Sequence, residues 1–140
     1  MKKTKSVSKG MKKMRCVSQG IEFANVEDKP HDLPISQMAV AGDFMYTWGY
    51  GELFDLKNPK PGMRKVFEHV KKLLASKGLT FANVVKVTAL LAPVECFGEY
   101  SALYRTYFKA PYPCRTTIPT PSDKAFLEID VVAYKKGLSD

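Results

Sequence analysis

Apolar side chains recur at a helical spacing in two stretches of this 140-residue chain. In the first stretch, charged residues separate apolar positions at Met63, Val66, Phe67, Val70, Leu73 and Leu74. This pattern predicts an amphipathic helix, and Gly78 follows where such a helix commonly ends. The second stretch begins at Pro93 and carries an aromatic stripe at Phe97, Tyr100, Tyr104, Tyr107 and Phe108. Core packing is the favoured interpretation of this stripe, and a cofactor-binding role is the alternative.

Six other stretches are rich in β-branched and aromatic residues, which predicts strands. They cover residues 15–18, 36–41, 44–48, 84–91, 113–118 and 126–132. The fourth is continuous enough to be a central strand, and Gly42-Asp43 indicates a hairpin between the second and the third. Residues 22–34 and 49–62 contain prolines and polar side chains, and they predict surface loops.

The resulting order, β-β-β-α-β-α-β-β, predicts an α+β fold in which two helices cover one face of a sheet, a two-layer sandwich. In the last strand, one face suits the helical layer, with Leu127, Ile129, Val131 and Ala133. The other face is half apolar, with Phe126, Glu128, Asp130, Val132 and Tyr134. Such a face needs a cover, most simply a copy of the same chain, so the pattern predicts an oligomer.

The net charge of +8 is concentrated at the N-terminus. Residues 1–19 hold seven of the 22 basic residues and no acid, so the rest carries 15 basic against 14 acidic residues. A basic surface on the folded part is therefore not implied, and nucleic acid is not an expected partner of that part. We expect residues 1–13 to form a flexible basic tail and residues 14–140 to form a single domain.

The apolar runs, cysteines and histidines limit which cellular locations and bound groups are expected. No apolar run approaches the roughly 20 residues of a membrane helix, so no membrane partner is expected. Cys16, Cys96 and Cys114 show no CxxC spacing, and His31 and His69 are isolated, so neither a metal site nor a disulfide framework is expected. A reducing, cytoplasmic location fits best. A mitochondrial presequence stays open because the N-terminal residues include serine and lack acids.

Two strand-like stretches each place a charge among apolar and β-branched residues. A buried charge is costly unless it is paired or used. Arg115 offers a planar fork that matches a carboxylate, and Glu128 offers a carboxylate that could hold or deprotonate a water. The alternative is that the two pair with each other, or across a subunit boundary, and only hold the assembly together.

Several phrases of the chain resemble one known family. They are Pro34-Ile35-Ser36-Gln37, Val84-Val85-Lys86-Val87-Thr88, Tyr104 to Phe108, Arg115-Thr116-Thr117 and Leu127-Glu128-Ile129. Their order and spacing are similar to those of the reactive-intermediate deaminases, the RidA/YjgF family, whose members are often labelled endoribonuclease L-PSP or translation inhibitor. The resemblance implies a chorismate-mutase-like fold and a homotrimer whose sheets form a central barrel. Ligand sites would lie in the clefts between subunits.

The resemblance also implies a reaction, the hydrolysis of 2-imino acids or their enamines to 2-keto acids and ammonia. It needs no cofactor and no metal. By position, Arg115 would fix the substrate carboxylate, while Glu128 would position a water and transfer protons. Thr117 stands where many members have a reactive cysteine, and it would hold the imine nitrogen. Glu128 and Thr117 are thus the candidate catalytic residues, and Arg115 is a candidate substrate-binding residue.

Four further candidate substrate-binding residues depart from the family pattern. Ile35 replaces a usual tyrosine, Trp48 and Tyr50 flank Gly49 where Ser-Gly-Gln is usual, and Ser101 replaces a frequent asparagine. The ring of Trp48 would narrow or reshape the pocket, although packing in the core or an interface is its simpler interpretation. For Tyr50, a place in the cleft and a place on a surface loop are equal alternatives.

Three functional classes follow. The first is a cofactor-free imine deaminase. The second is a non-catalytic trimer that binds a small 2-keto or 2-imino acid in a remodelled pocket. The third is an RNA-directed role as an endoribonuclease or translation inhibitor, for which the folded part offers no paired acid and base with a phosphate clamp. The basic tail would add only salt-sensitive, non-specific affinity.

Overall fold

The computed structural model describes residues 2–5, 14–27 and 33–140, and these contain nine strands and two α-helices. The helices are α1 (Lys60–Ala75) and α2 (Phe97–Tyr107), and short 3₁₀ turns lie at Phe81–Asn83 and Val94–Cys96. The strands are β1 (Lys2–Lys5), β2 (Met14–Ser18), β3 (Ile21–Asn25), β4 (Met38–Ala41), β5 (Phe44–Thr47), β6 (Tyr50–Leu53), β7 (Val84–Ala92), β8 (Cys114–Pro119) and β9 (Phe126–Tyr134).

All nine strands join one sheet, and eight of them follow the order β1-β2-β3-β4-β5-β9-β7-β8. The additional strand β6 pairs with β9, next to the stretch of β9 that pairs with β5. Every pairing is antiparallel except that of β7 with β8, which is parallel. A parallel pair needs a crossover connection, and α2 provides it. Strand β8 is the last in the strand order, so it forms one edge of the sheet. Helix α2 lies beside it.

The two helices pack on one face of the sheet, which confirms the predicted α+β two-layer sandwich. On α1, the side chains at the predicted apolar positions are buried: Met63, Val66, Phe67, Val70, Leu73 and Leu74. On β9, the four residues predicted to face the helices are at most 1% exposed. The opposite residues of β9 are half-buried or exposed, as the alternation of side chains along a strand requires.

The ends of the helices follow local signals. Pro61 lies in the first turn of α1, where a missing N–H is harmless. Beyond the last turn, Gly78 has a φ of +68°, and the backbone N–H of Leu79 donates to the carbonyl of Leu74. On α2, Tyr100 and Tyr104 are buried in the core, which supports the packing interpretation of the aromatic stripe.

Two of the predicted loops contain strands. Residues 22–25, expected in a loop, belong to β3, because Gln19 and Gly20 both adopt positive φ and close a tight hairpin with β2. Residues 50–53, also expected in a loop, form β6, because the prolines of that region lie only at the start of α1. The expected loop at 49–62 is thus reduced to the residues between β6 and α1.

The N-terminal expectations are covered only in part. β1 lies within the segment expected to be a flexible tail and pairs with β2. Residues 6–13 and 28–32, with His31, lie outside the described residues. The division between tail and domain at residue 13 therefore stays a prediction. Neither helix in the described part of the chain is long and apolar enough to span a membrane.

Candidate functional site

Arg115 lies on the edge strand β8, on the face that carries the helices. Its partner in β7 is Val87, and Val87 pairs with Val131 of β9. Both valines are buried beneath the helices, and residues paired across strands share a face. The side chain of Arg115 is itself exposed. It reaches α2, where Nη1 donates a 3.3 Å hydrogen bond to Oγ of Ser101.

Three aromatic rings of α2 surround the guanidinium of Arg115. Its Cζ atom lies 4.7 Å from the ring centroid of Tyr104, 5.3 Å from that of Phe97 and 5.5 Å from that of Tyr100. These distances fall within the range of cation–π attraction. The aromatic stripe of α2 therefore contributes to the core and also holds the candidate carboxylate-binding side chain.

Three hydroxyl groups around Arg115 are buried and make no well-formed hydrogen bond within the described part of the chain. They are Oη of Tyr100, Oη of Tyr104 and Oγ1 of Thr117. Burial raises the pKa of Tyr100 to about 12, opposed by the nearby charge of Arg115 and by weak side-chain hydrogen bonding with Thr117 and Arg115. Burial also raises the pKa of Tyr104, again against the effect of Arg115. Thr117 shares its sheet face with Arg115 because it pairs with the buried Ala89.

Glu128 lies on the opposite face of the sheet. It pairs with Leu90 of β7, and Leu90 pairs with Ile118 of β8. Its side chain runs along the backbone of two glycines: a Cβ added at Gly49 would lie 3.1 Å from Cδ and from Oε2 of Glu128. A Cβ added at Gly51 would lie 3.2 Å from Cβ of Glu128. Glycine at both positions therefore leaves room for the carboxylate.

The predicted catalytic set is consequently divided within one chain. Arg115, Ser101 and Thr117 lie together between β8 and α2, whereas Glu128 lies on the other side of the sheet, two strands away. No ion pair joins Arg115 to Glu128 among the described residues. Their direct pairing within the chain, considered above as an alternative, is thus wrong.

Trp48 belongs to a different cluster, centred on His69 of α1. The indole N–H of Trp48 donates to Nε2 of His69 over 2.9 Å, and Nδ1 of His69 lies 2.7 Å from Oε1 of Glu27. Lys72 in turn pairs with Glu27, with its Nζ 2.7 Å from Oε2. Trp48 therefore packs against the core on the helix-bearing face and is held by His69 of α1, whereas Arg115 is held by Ser101 of α2.

Tyr50 completes this cluster. Its ring stacks on that of His69 with centroids 3.8 Å apart, and its hydroxyl bonds to Glu52. Burial, with help from Glu52, raises the pKa of Tyr50 to about 12. Because Tyr50 is part of β6, the surface-loop interpretation is wrong, and its place in a cleft between copies stays a prediction.

The charge state of His69 follows from its partners. An indole N–H can only donate, so Nε2 of His69 must accept and the ring is neutral, with its proton on Nδ1 facing Glu27. Burial lowers the pKa of His69, although Glu27 opposes that shift. His69, described above as isolated, is thus the centre of a polar network that the sequence analysis missed.

Ile35 lies apart from both groups. It is 40% exposed in the segment before β4. Its neighbours Pro34 and Ser36, with Trp48, help to line a shallow pocket of about 360 Å³. Within residues 2–5, 14–27 and 33–140, no three His, Cys, Asp or Glu side chains are grouped so that they could hold a metal ion.

Comparison with known proteins agrees with the fold. The family described as endoribonuclease L-PSP matches residues 34–135. A RutC family protein of Pyrococcus horikoshii is 30% identical over 128 residues, covering 82% of this chain and 98% of that protein. A human protein named 2-iminobutanoate/2-iminopropanoate deaminase is 30% identical over 78 residues, covering 54% of this chain and 57% of that protein.

A solved structure gives the same result for the fold. A yjgF-family protein from Streptococcus pyogenes superposes with a TM-score of 0.69 at 23% identity, covering 85% of this chain and 99% of that one. The family match spans well over half of the 140 residues and includes Arg115, Thr117 and Glu128. This chain therefore belongs to the endoribonuclease L-PSP family, the RidA/YjgF family that its sequence resembles.

Proposed function

We propose that this chain is a cofactor-free deaminase that hydrolyses 2-imino acids, or their enamine tautomers, to 2-keto acids and ammonia. The active form is a homotrimer, and each site lies in a cleft between two copies. The observation that carries the proposal is the position of Arg115 and Glu128 on opposite faces of one sheet. One small substrate cannot reach both residues of a single chain, so Arg115 of one copy would act with Glu128 of its neighbour.

Arg115 is suited to the substrate carboxylate. Its side chain is exposed at the edge of the sheet, and of its five N–H groups one donates to Ser101. A two-pronged interaction with a carboxylate would orient the neighbouring imine carbon. Ser101 and Thr117 border the same spot, and Thr117 would hold the imine nitrogen.

Glu128 would supply the water and the proton transfers. It takes a proton from water as the oxygen forms a bond to the imine carbon, and the C=N electron pair moves to nitrogen, which is protonated. The C–N bond of this carbinolamine then breaks, ammonia leaves, and the oxygen forms the carbonyl of the 2-keto acid. The balance is one imine and one water consumed, and one keto acid and one ammonia formed. The name of the human relative supports this substrate class.

The test of turnover uses an amino-acid oxidase to form 2-iminobutanoate in the presence of semicarbazide, which traps unreacted imine. We expect the protein to divert imine from the trap, and Arg115→Ala and Glu128→Gln each to lower the rate by at least about 100-fold. Asp130→Asn is the matched control, since it removes a carboxylate two residues along the same face of β9. Wild-type protein that binds 2-oxobutanoate without turnover would support the non-catalytic binding function instead.

The test of the shared cleft mixes the two inactive variants. Equal amounts of Arg115→Ala and Glu128→Gln are unfolded together and refolded. If the two residues come from different copies, one of the three clefts in each mixed trimer contains both intact groups. After random assembly this is about a quarter of all clefts, and activity returns to about that fraction. Separate refolding of each variant is the control. No recovery in mixed trimers would show that the two residues do not act in one intersubunit cleft.

A further inference from the structure

The three unpaired hydroxyls next to Arg115 are unusual for a folded chain. The Tyr100 side chain is fully buried and Tyr104 is 4% exposed, yet among the described residues neither hydroxyl makes a well-formed hydrogen bond, and the same holds for Oγ1 of Thr117. Thr117 and Arg115 lie near enough to the Tyr100 hydroxyl to interact with it only weakly. Most buried polar groups are hydrogen-bonded, because an unpaired one loses its hydration without compensation. Three such groups at one place indicate that a different arrangement of the site would satisfy them.

Arg115 can provide that arrangement. Its guanidinium lies over the rings of Tyr100 and Tyr104, and both hydroxyl groups feel its charge. Within the described part of the chain its guanidinium makes one long hydrogen bond, to Ser101, and the residue is exposed. Because a guanidinium only donates and a hydroxyl can accept, a small rotation of the head would pair its inner N–H groups with the hydroxyls beneath.

We propose that Tyr100 and Tyr104 are positioning residues for a carboxylate at Arg115, their hydroxyls accepting well-aligned hydrogen bonds from the guanidinium only when a carboxylate occupies its outer edge. The inference rests on the proposed function, because it takes Arg115 as the carboxylate site. The rings hold the cation in place in the free protein. The ligand then fixes the rotation of the guanidinium, and the hydroxyls gain well-aligned hydrogen bonds.

The experiment measures binding of 2-oxobutanoate by calorimetry, together with the unfolding temperature of the ligand-free protein. We expect Tyr100→Phe and Tyr104→Phe each to weaken binding about tenfold, the usual effect of one hydrogen bond to a charged group. The unfolding temperature should stay unchanged or rise, because each substitution removes an unpaired buried hydroxyl. Binding of the uncharged 2-oxobutanamide, which offers no carboxylate, should be the same in wild type and variants.

Tyr107→Phe is the matched control, since it removes a phenolic hydroxyl of α2 that bonds to Glu68 instead of facing Arg115. It should leave 2-oxobutanoate binding unchanged. Unchanged affinity in both Tyr100→Phe and Tyr104→Phe would overturn the inference. A fall in unfolding temperature together with affinity would also overturn it, because that result means a structural role in the free chain.

Arg115→Ala separates this inference from the proposed function. If Arg115→Ala still binds 2-oxobutanoate like the wild type, the carboxylate site lies elsewhere and the proposed function itself fails. If Arg115→Ala loses binding while the two phenylalanine variants keep it, only the role of the tyrosines is wrong.

Discussion

At the scale of single residues, the hydrogen bond from Trp48 to His69 makes a pH-dependent contribution to stability. His69 is buried and neutral, and its pKa lies below the ordinary 6.5. As the pH falls below 6.5, the imidazole of His69 takes up a proton in the unfolded chain but stays neutral in the folded chain. The contribution of His69 is therefore complete above about pH 6.5 and is lost as the pH falls below it. We expect the free energy of unfolding, measured in urea, to be smaller at pH 5.5 than at pH 7.5.

Trp48→Phe isolates the cause of this pH dependence. Without the indole donor, Nε2 of His69 can accept a proton, which Glu27 and Glu52 would favour and Lys72 would oppose. The variant should lose about 1 kcal/mol at neutral pH and show a weaker decline toward pH 5.5. An equal decline in wild type and Trp48→Phe would mean that other groups cause the effect.

The sequence contained more of this residue-level detail than the pattern analysis extracted. His69 lies three residues after Val66 and four before Leu73, inside the apolar stripe of α1, and that position predicts a buried imidazole in need of partners. Arg115 and Glu128 were visible because a charge within a strand is conspicuous. The sequence did not show that they lie on opposite faces of the sheet. Which residues of β8 and β9 share a face depends on how each strand pairs with β7.

At the scale of elements, Gly62 allows the start of α1 to approach β6. A Cβ added there would lie 2.5 Å from Cβ of Phe54 and 2.7 Å from the carbonyl oxygen of Leu53. We expect Gly62→Ala to destabilise the protein by about 1–3 kcal/mol in urea unfolding, because the backbone of residues 53 and 54 must move. Alanine is otherwise the better helix former.

Gly98→Ala provides the matched comparison on the other helix. No atom lies within 4 Å of a Cβ added at Gly98 in the first turn of α2. This variant should be as stable as the wild type or more stable by up to about 1 kcal/mol. Equal stability changes in the two variants would show that the close approach at Gly62 does not limit the packing of α1.

Elements with a strong period were predictable, and short strands next to turns were not. Strand β7 and helix α1 follow their apolar patterns closely, whereas β3 and β6 are only five and four residues long. The hairpin at Gln19-Gly20 lacks the asparagine or aspartate that usually indicates such a turn. Strand β6 was missed because it pairs with β9, which is distant in the sequence, and local composition does not indicate such a pairing.

At the scale of the whole molecule, the sheet face opposite the helices is the main unexplained surface of the single chain. Phe44, Tyr46, Ile118 and Tyr134 are each 39–46% exposed there, and the described part of the chain places no helix over this face. The rings of Phe44 and Tyr134 contact each other across β5 and β9. An apolar face of this kind on a single chain is typical of an interface between copies.

Ile118→Asp tests whether this face joins the subunits. We expect the wild type to sediment at three chain masses and Ile118→Asp to sediment as a monomer, because a carboxylate on this face is costly to bury between copies. Val94→Asp is the control, since Val94 is similarly exposed, at 49% against 43% for Ile118, and lies in the 3₁₀ turn outside the sheet. If Ile118→Asp remains trimeric, this face is not the interface. If it becomes a folded monomer and loses imine hydrolysis, while Val94→Asp keeps both, assembly and activity depend on the same contact, as a site shared between Arg115 and Glu128 of neighbouring copies requires.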